Sequence, residues 1–346
     1  MLDNVKIIKQ RDPNSALSIA SLQYEQVHFK PQIRSGEHDG RKINNIIFSG
    51  MGGSGLAASL VKVWLKSELN LPIEIVRGYD LPDYIDKNSL VIISSYSGNT
   101  EEELSCLRQA ITCGAQIGII ASGGELLELA SKNDIAHVPL PIKLQPRMAV
   151  IYGLRALVDL LVHFKVVGGH KLTEIYETYD WLHEESLKWS PEVLIKDNYA
   201  KQLAKLAVGK TAVFYGGALT APVAYKWKIS WNENAKNLAF WNELSEFNHN
   251  EFIGWTSHPI EKPFVVFDII SNFEHPQILK RFKISDKLLS GKRPKSHAIE
   301  LKGDTLMAQL LWGSILADFT SIYLAILNNV NPTPVPLIEK LKEELK

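Results

Sequence analysis

The sequence predicts an α/β protein with two domains, each a parallel sheet sandwiched between helices in flavodoxin-like fashion, the two related by internal duplication. Three observations carry this. Residues 45–55 and 90–102 both read as an apolar strand running into a small-residue loop and then a helix. Strands and helices alternate from residue 45 to residue 140, the rhythm of βαβ units in a sheet covered on both faces. Residues 212–228 then repeat the grammar of residues 46–63: apolar strand, Gly-Gly turn, small residues, helix. A chain of 346 residues with 45% apolar content is long enough to bury two such cores. The expected division is an N-terminal domain over 1–165, a helical connection over 166–205 and a C-terminal domain over 206–346.

Taken in order, Asp12 to about Phe29 reads as one helix beside the first domain, with Ala16, Ile19, Ala20, Leu22 and Val27 as its apolar stripe. Strands are expected at Ile46–Ser49, Ile73–Arg77, Leu90–Ser94, Gln116–Ala121 and Ala136–Leu140, with helices at about Leu56–Leu69, Thr100–Cys113 and Glu125–Ser131. Gln145-Pro-Arg-Met opens a long helix from Ile151, and Arg147 stands at its start, where a cation gains nothing from the helix dipole. That placement marks Arg147 as a candidate ligand contact. Residues 171–205 read as connecting helices. In the second domain the loop after residue 216 has one hydroxyl, Thr220, and a proline, so it is not expected to hold phosphate. Further strands are expected at Phe264–Ile270 and Ser296–Leu301, separated by a charged helix and loop. Asp304–Asn329 is a long helix whose excess of apolar faces suggests a domain or subunit interface, and Asn331-Pro-Thr-Pro-Val335 turns into a last helix, Leu337–Lys346.

Formal net charge is zero and no basic stripe is visible, so neither nucleic acid nor a membrane is an expected partner. An anionic substrate would have to be held locally. Cys106 and Cys113 read as small buried residues, and no zinc-type cluster or other metal site is expected. The N-terminus lacks a basic-then-apolar signal and no apolar run is expected to reach transmembrane length, which leaves the cytoplasm as the expected location.

The two loops of the first domain suit a phosphate. Gly50, Gly52, Gly53 and Gly55 let the backbone turn sharply and bring its amides close to a ligand. Ser94, Ser95, Ser97 and Thr100 surround Gly98 and Asn99 at the start of the next helix, where hydroxyls and free N–H groups can hold a dianion without a lysine. No Gly-Lys-Ser/Thr follows, so this is not a Walker loop. Gly50-Met-Gly-Gly-Ser-Gly55 with Ser94-Ser-Tyr-Ser-Gly-Asn-Thr100 resembles the sugar-isomerase (SIS) domain. That resemblance implies a sugar phosphate bound by Gly52, Gly53, Ser54, Ser95, Ser97 and Thr100.

Two further groups carry proton chemistry. Glu233 lies between Asn232 and Asn234 where a helix pattern stops, and His249 lies between Asn248 and Asn250, whose amides can bond its ring and fix a tautomer. Either alone reads equally as a solvated side chain; beside a phosphate site they become an acid/base pair. Here the resemblance narrows. Asn232-Glu-Asn-Ala-Lys236, Asn248-His-Asn-Glu251 and Asn331-Pro-Thr-Pro-Val335 look like the bifunctional phosphoglucose/phosphomannose isomerases over nearly the full length. The resemblance implies that Glu233 moves the proton between C1 and C2, that His249 takes part in ring opening across a homodimer interface, and that Arg147 sits by the cis-enediolate. It also implies that Thr333 leaves room for the C2 hydroxyl of the mannose epimer, and that a lysine after the proline turn assists ring opening. Lys342 lies roughly 85° from the centre of the Leu337, Ile338, Leu341 and Leu345 face, and Lys340 about 115°, at ~100° per residue; Lys342 is favoured and Lys340 stays open. No cofactor or metal is called for. Competing readings are a non-catalytic SIS regulator, which would bring a DNA-binding or partner domain, and an amino-sugar isomerase, which would bring an amidotransferase domain.

Overall fold

A computed structural model describes residues 1–142, 144–257, 259 and 262–345, and the statements below concern those residues. The chain divides into two compact units: residues 23–180, and residues 1–22 together with 181–346. These compact units are bounded at 22/23 and 180/181, where the expected domain bounds are 165 and 205.

The chain opens with α1 (Val5–Arg11) and α2 (Ala16–Ser21), which belong with the C-terminal half. The single helix expected from Asp12 to Phe29 is shorter, starting at Ala16 and stopping at Ser21. The Asp12 carboxylate accepts from the amides of Ala16 (2.8 Å) and Leu17 (2.9 Å), ending one helix and starting the next, and Ser15 takes a left-handed φ of 56°. After Leu22 the chain enters a separate 3-10 turn, Gln23–His28.

In residues 23–180, β1 (Asn45–Ser49), β2 (Ile73–Val76), β3 (Ser89–Ser95), β4 (Gln116–Ala121) and β5 (Ala136–Pro139) form a parallel sheet of order β2-β1-β3-β4-β5. β3 and β4 are buried along their whole length, as their unbroken apolar runs require. Between strands run α3 (Gly52–Trp64), α4 (Glu101–Thr112) and α5 (Gly124–Lys132), followed by α6 (Val150–His163) and α7 (His170–Tyr176); α8 (Tyr179–Leu187) starts here but lies mostly in the other unit. Leu104, Leu107 and Ala110 of α4 with Leu126 and Ala130 of α5 pack against Ile47, Val91, Ile93 and Ile119. Gly118, on the other face, lies under Leu160 and Phe164, and Gly153 of α6 faces Ala57 of α3. Strand order reverses between β1 and β3, and the loops leaving their carboxyl ends flank that switch point, where ligands gather in open α/β sheets. Cys106 is buried as expected; Cys113, at the end of α4, is exposed instead.

The other unit adds α9 (Tyr199–Leu206), β6 (Thr211–Gly216), α10 (Ala221–Glu233), β7 (Ala239–Glu243), α11 (Glu251–Gly254), β8 (Phe264–Ile270), α12 (Pro276–Leu288), β9 (His297–Glu300), α13 (Leu306–Leu327) and α14 (Pro336–Glu344). Its sheet is again parallel, of order β7-β6-β8-β9, matching the first four strands of the other. β7 escapes a reading by pattern because it is an edge strand that exposes Phe240 and Trp241. α13 is long and apolar enough to cross a membrane, contrary to the sequence reading, but 94% of that stretch is buried within the protein. It is the central core helix of its unit, packed against α9, α10 and α2. Inside this apolar layer the Lys226 ammonium meets the Asp318 carboxylate at 2.7 Å, both side chains essentially inaccessible to solvent. The face of α14 expected to be buried is exposed: Leu337 is 83% and Leu341 60% accessible, since none of the described residues covers it. Lys346, at the expected end of that helix, lies outside the described residues.

Candidate active site

At the β1/β3 switch point the chain builds two facing pieces. Helix α3 begins at Gly52, which adopts a φ of +49°, so Gly52, Gly53 and Ser54 form its first turn and carry amides without helical partners. Gly53 has no room for a side chain: a Cβ there would lie 2.9 Å from the carbonyl oxygen of Pro146 and 3.2 Å from Arg147 Cα. That close approach brings the 3-10 turn Pro146–Met148 against the start of α3. Arg147 is 2% exposed, a buried cation rather than a surface one, with one nitrogen 3.4 Å from Gln145 Oε1.

After β3, the hydroxyls converge. Ser95 Oγ lies 2.6 Å from Thr100 Oγ1 and 3.4 Å from Ser97 Oγ, and accepts from the Gly98 amide at 3.2 Å. Gly98, at φ +72°, presses against the carbonyl of Gly123, so only glycine fits. Thr100 starts α4 but does not cap it; its hydroxyl is turned to Ser95. Three hydroxyls and a set of first-turn amides thus meet at the switch point, the donor array a phosphate dianion requires.

Sequence reasoning missed Glu103. Thr100-Glu-Glu-Glu103 has the spacing of a capping box, the one signal that could have flagged it. The box does not form. The Glu103 side chain is 1% exposed and its oxygens find no partner of good hydrogen-bond geometry. Burial pushes its carboxyl up to about 7, against weaker opposition from the amides of Glu103 and Met51 and the Thr100 hydroxyl. Between its ordinary value of 4.5 and about 7, the folded chain holds a proton here that the unfolded chain has lost. Stability therefore falls as pH rises through that window, by about 3 kcal/mol for this group at ~1.36 kcal/mol per unit. Asp159 and Asp268, each pushed up to about 6 by burial, add falls of the same sign. Glu103→Gln should flatten the profile and raise stability at pH 8 above wild type. A urea-denaturation series from pH 5 to 8 in which the variant keeps the wild-type slope would rule this out.

The corresponding switch point of the other sheet, between β6 and β8, is already filled. Glu274, in the loop after β8, accepts from the amides of Leu219 (2.7 Å) and Thr220 (3.1 Å) at the start of α10. Gly217 makes space for that carboxylate, which would lie 2.4 Å from a Cβ there. The Thr220 hydroxyl donates inward to the Ile269 carbonyl at 2.7 Å. The chain's own carboxylate thus occupies the anion position, a physical reason for the expectation that this loop holds no phosphate.

In the same unit Glu233 is the last residue of α10 and half-buried. Its helix end is anchored on α13: Ser230 Oγ donates to Asp318 (2.8 Å), and Asn234 Nδ2 donates to Ser321 Oγ (2.9 Å). Asn232 Oδ1 accepts from the Ala239 amide at 3.0 Å. His249 is exposed on a 3-10 turn, Glu246–His249, and its flanking asparagines do not hold its ring as expected. Asn248 bonds Ser285 (2.9 Å) and Arg281 (3.1 Å), while Asn250 bonds the Glu246 carboxylate and caps α11. These bonds fix the turn and leave the imidazole facing outward. The turn is held further by Glu251, which accepts from the Tyr215 hydroxyl and from Asn242 at 2.7 Å. Thr333 is half-buried in a turn where its amide donates to Asn331 Oδ1 at 3.0 Å. Lys340 and Lys342 are both exposed on α14, so the wheel argument for Lys342 loses its basis: the face that defined it is not buried. Of the expected site residues, Gly52, Gly53, Ser54, Ser95, Ser97, Thr100 and Arg147 belong to one unit, and Glu233, His249, Thr333, Lys340 and Lys342 to the other. Among the described residues, no three His, Cys, Asp or Glu side chains are grouped as a metal site would need.

Comparison with known proteins gives concordant matches. Residues 41–162 match the SIS domain, and residues 196–345 match the bacterial phospho-glucose isomerase C-terminal SIS domain. A bifunctional phosphoglucose/phosphomannose isomerase of Caldicellulosiruptor bescii is 34% identical over 88% of this chain and 90% of its own length. One from Aquifex aeolicus is 34% identical over 87% and 90%. Among solved structures, a glucose-6-phosphate isomerase like protein from Thermus thermophilus superposes with a TM-score of 0.64, covering 99% of this chain and 98% of that one. At 18% identity that likeness bears on the fold.

Proposed function

The chain belongs to the family of bifunctional phosphoglucose/phosphomannose isomerases, and we propose that it interconverts glucose 6-phosphate and mannose 6-phosphate with fructose 6-phosphate. The observation that carries the reading furthest is the group of Ser95, Ser97 and Thr100 hydroxyls at a switch point whose other side is the first turn of α3. The sugar's phosphate accepts from those hydroxyls, from Ser54 and from the amides of Gly52 and Gly53. Ring opening moves the proton of the C1 hydroxyl to the ring oxygen, with His249 and a lysine of α14, Lys342 or Lys340, as donor and acceptor. Glu233 then takes the C2 proton of the aldose and returns it to C1, while a proton passes between O1 and O2. Arg147 offsets the negative charge of the cis-enediolate between those steps. Thr333 is small enough to admit either configuration at C2.

The enzyme acts as a homodimer in which His249 serves the neighbouring subunit. Supporting this are the outward-facing imidazole and the exposed Leu238, Phe240 and Trp241 on and beside the edge strand β7. The location follows from the substrate: a phosphorylated sugar is retained in the cytoplasm. A coupled assay for fructose 6-phosphate, run separately from each aldose phosphate with a chelator present, tests the reading. Formation from both is expected, and formation from neither would leave a non-catalytic sugar-phosphate-binding protein.

Phosphate held by hydroxyls has a signature. Ser97→Ala and Thr100→Ala should each raise KM for the sugar phosphate roughly tenfold, the loss of one hydrogen bond to a charged group at ~1.5 kcal/mol. Variants that bind substrate and inorganic phosphate like wild type would put the phosphate elsewhere.

A further inference from the structure

We infer that Lys236 is a positioning residue that ties the helix end bearing Glu233 to the turn bearing Thr333, and thereby sets the preference between the two C2 epimers. The inference rests on the roles proposed above for those two residues. Lys236 Nζ donates to the Glu233 carbonyl at 2.7 Å and to the Pro332 carbonyl at 3.0 Å. The first bond is the kind any lysine near a helix C-terminus makes. The second crosses 96 residues of chain and ends on the carbonyl that immediately precedes Thr333. One ammonium therefore holds the backbone of the proposed base and the backbone of the proposed specificity residue at fixed reach of each other.

Two features argue that the bridge is built in. Lys236 adopts a φ of +50°, the left-handed conformation that glycine or asparagine takes most cheaply after a helix, yet the position carries a long cationic side chain. The turn it reaches is also shaped by Asn331. Asn331 Oδ1 accepts from the Thr333 amide at 3.0 Å and Asn331 Nδ2 donates to Asn14 Oδ1 at 2.9 Å. Pro332 and Pro334 limit how the turn can bend. Lys236 thus contributes a direct tie between this turn and the end of α10, and a small shift there changes the space Thr333 leaves beside C2.

The test is Lys236→Met, which keeps the stem and removes the ammonium, with Lys236→Arg as the conservative partner. Amide hydrogen exchange at Thr333 and Val335 should quicken about tenfold in the methionine variant. Its kcat on mannose 6-phosphate should fall more than on glucose 6-phosphate, shifting the ratio about threefold or more, and arginine should restore most of it. Inhibition by inorganic phosphate should not move, since the serine loop belongs to the other unit. Unchanged exchange at the turn overturns the bridge, and faster exchange with an unchanged epimer ratio overturns its role in specificity. A wild-type chain inactive on both aldoses would instead fail the functional reading, while the exchange measurement would still decide whether Lys236 holds the turn. If the methionine variant does not fold, Lys236→Gln carries the same comparison; loss of the fold there as well overturns the inference in favour of a purely structural lysine.

Discussion

Glu233→Gln should lower kcat by roughly 10²–10⁴ on both aldose phosphates while leaving KM and the fold nearly unchanged. Glutamine has the shape and most of the hydrogen-bonding capacity of glutamate, but its amide cannot accept the C2 proton. The helix end that carries the residue is held through Ser230 and Asn234, so the backbone should stay in place. The Lys236 bond goes to the Glu233 carbonyl and survives the substitution. Steady-state kinetics on both aldoses with a thermal melt as control would check it. A variant that retains more than a tenth of wild-type kcat would remove Glu233 from the proton transfer.

Asp318→Ala should cost about 3–5 kcal/mol of stability, the largest effect expected away from the chemistry. Asp318 Oδ1 receives Lys226 Nζ at 2.7 Å and Ser230 Oγ at 2.8 Å inside the α10/α13 contact, with Lys226 1% and Asp318 0% exposed. Removing the carboxylate leaves the ammonium buried without its counter-charge. Replacing both ends by apolar residues, Lys226→Met with Asp318→Leu, should recover most of the loss, because desolvating the pair offsets much of its attraction. Denaturant midpoints for the single and double variants decide it. If the double variant is as unstable as the single one, the loss reflects packing around Asp318 and not an uncompensated charge.

The fold was legible wherever local pattern and tertiary environment agree. The apolar runs of β1, β3, β4 and β8 became buried parallel strands because both of their faces are covered, and the two glycine turns mark where helices start. β7 was not legible: an edge strand needs no alternation of buried and exposed apolar residues, and Phe240 and Trp241 face solvent. The long helix expected from Asp12 stops at Ser21 because the chain tightens there into the 3-10 turn Gln23–His28, a change of hydrogen-bond spacing that hydrophobic periodicity does not register. The α14 wheel fails for the opposite reason: an apolar stripe does not by itself imply a covering surface, and among the described residues none buries this one. At the site, the hydroxyl cluster was readable from residue types and spacing. The filled anion position at Glu274 was not, because it joins residues some 55 apart, and Glu103 was hidden behind Glu101 and Glu102 by composition alone.

The central claim is that a carboxylate on α10 carries a proton between C1 and C2 of a sugar phosphate. The most direct measurement is the isomerisation of each aldose phosphate in deuterated water, with the sugar carbons followed by NMR. Wild type should place deuterium at C1 of fructose 6-phosphate and at C2 of the recovered aldose, and Glu233→Gln should abolish both. Fructose 6-phosphate formed with no exchange at either carbon, at a rate indifferent to Glu233→Gln, would contradict it.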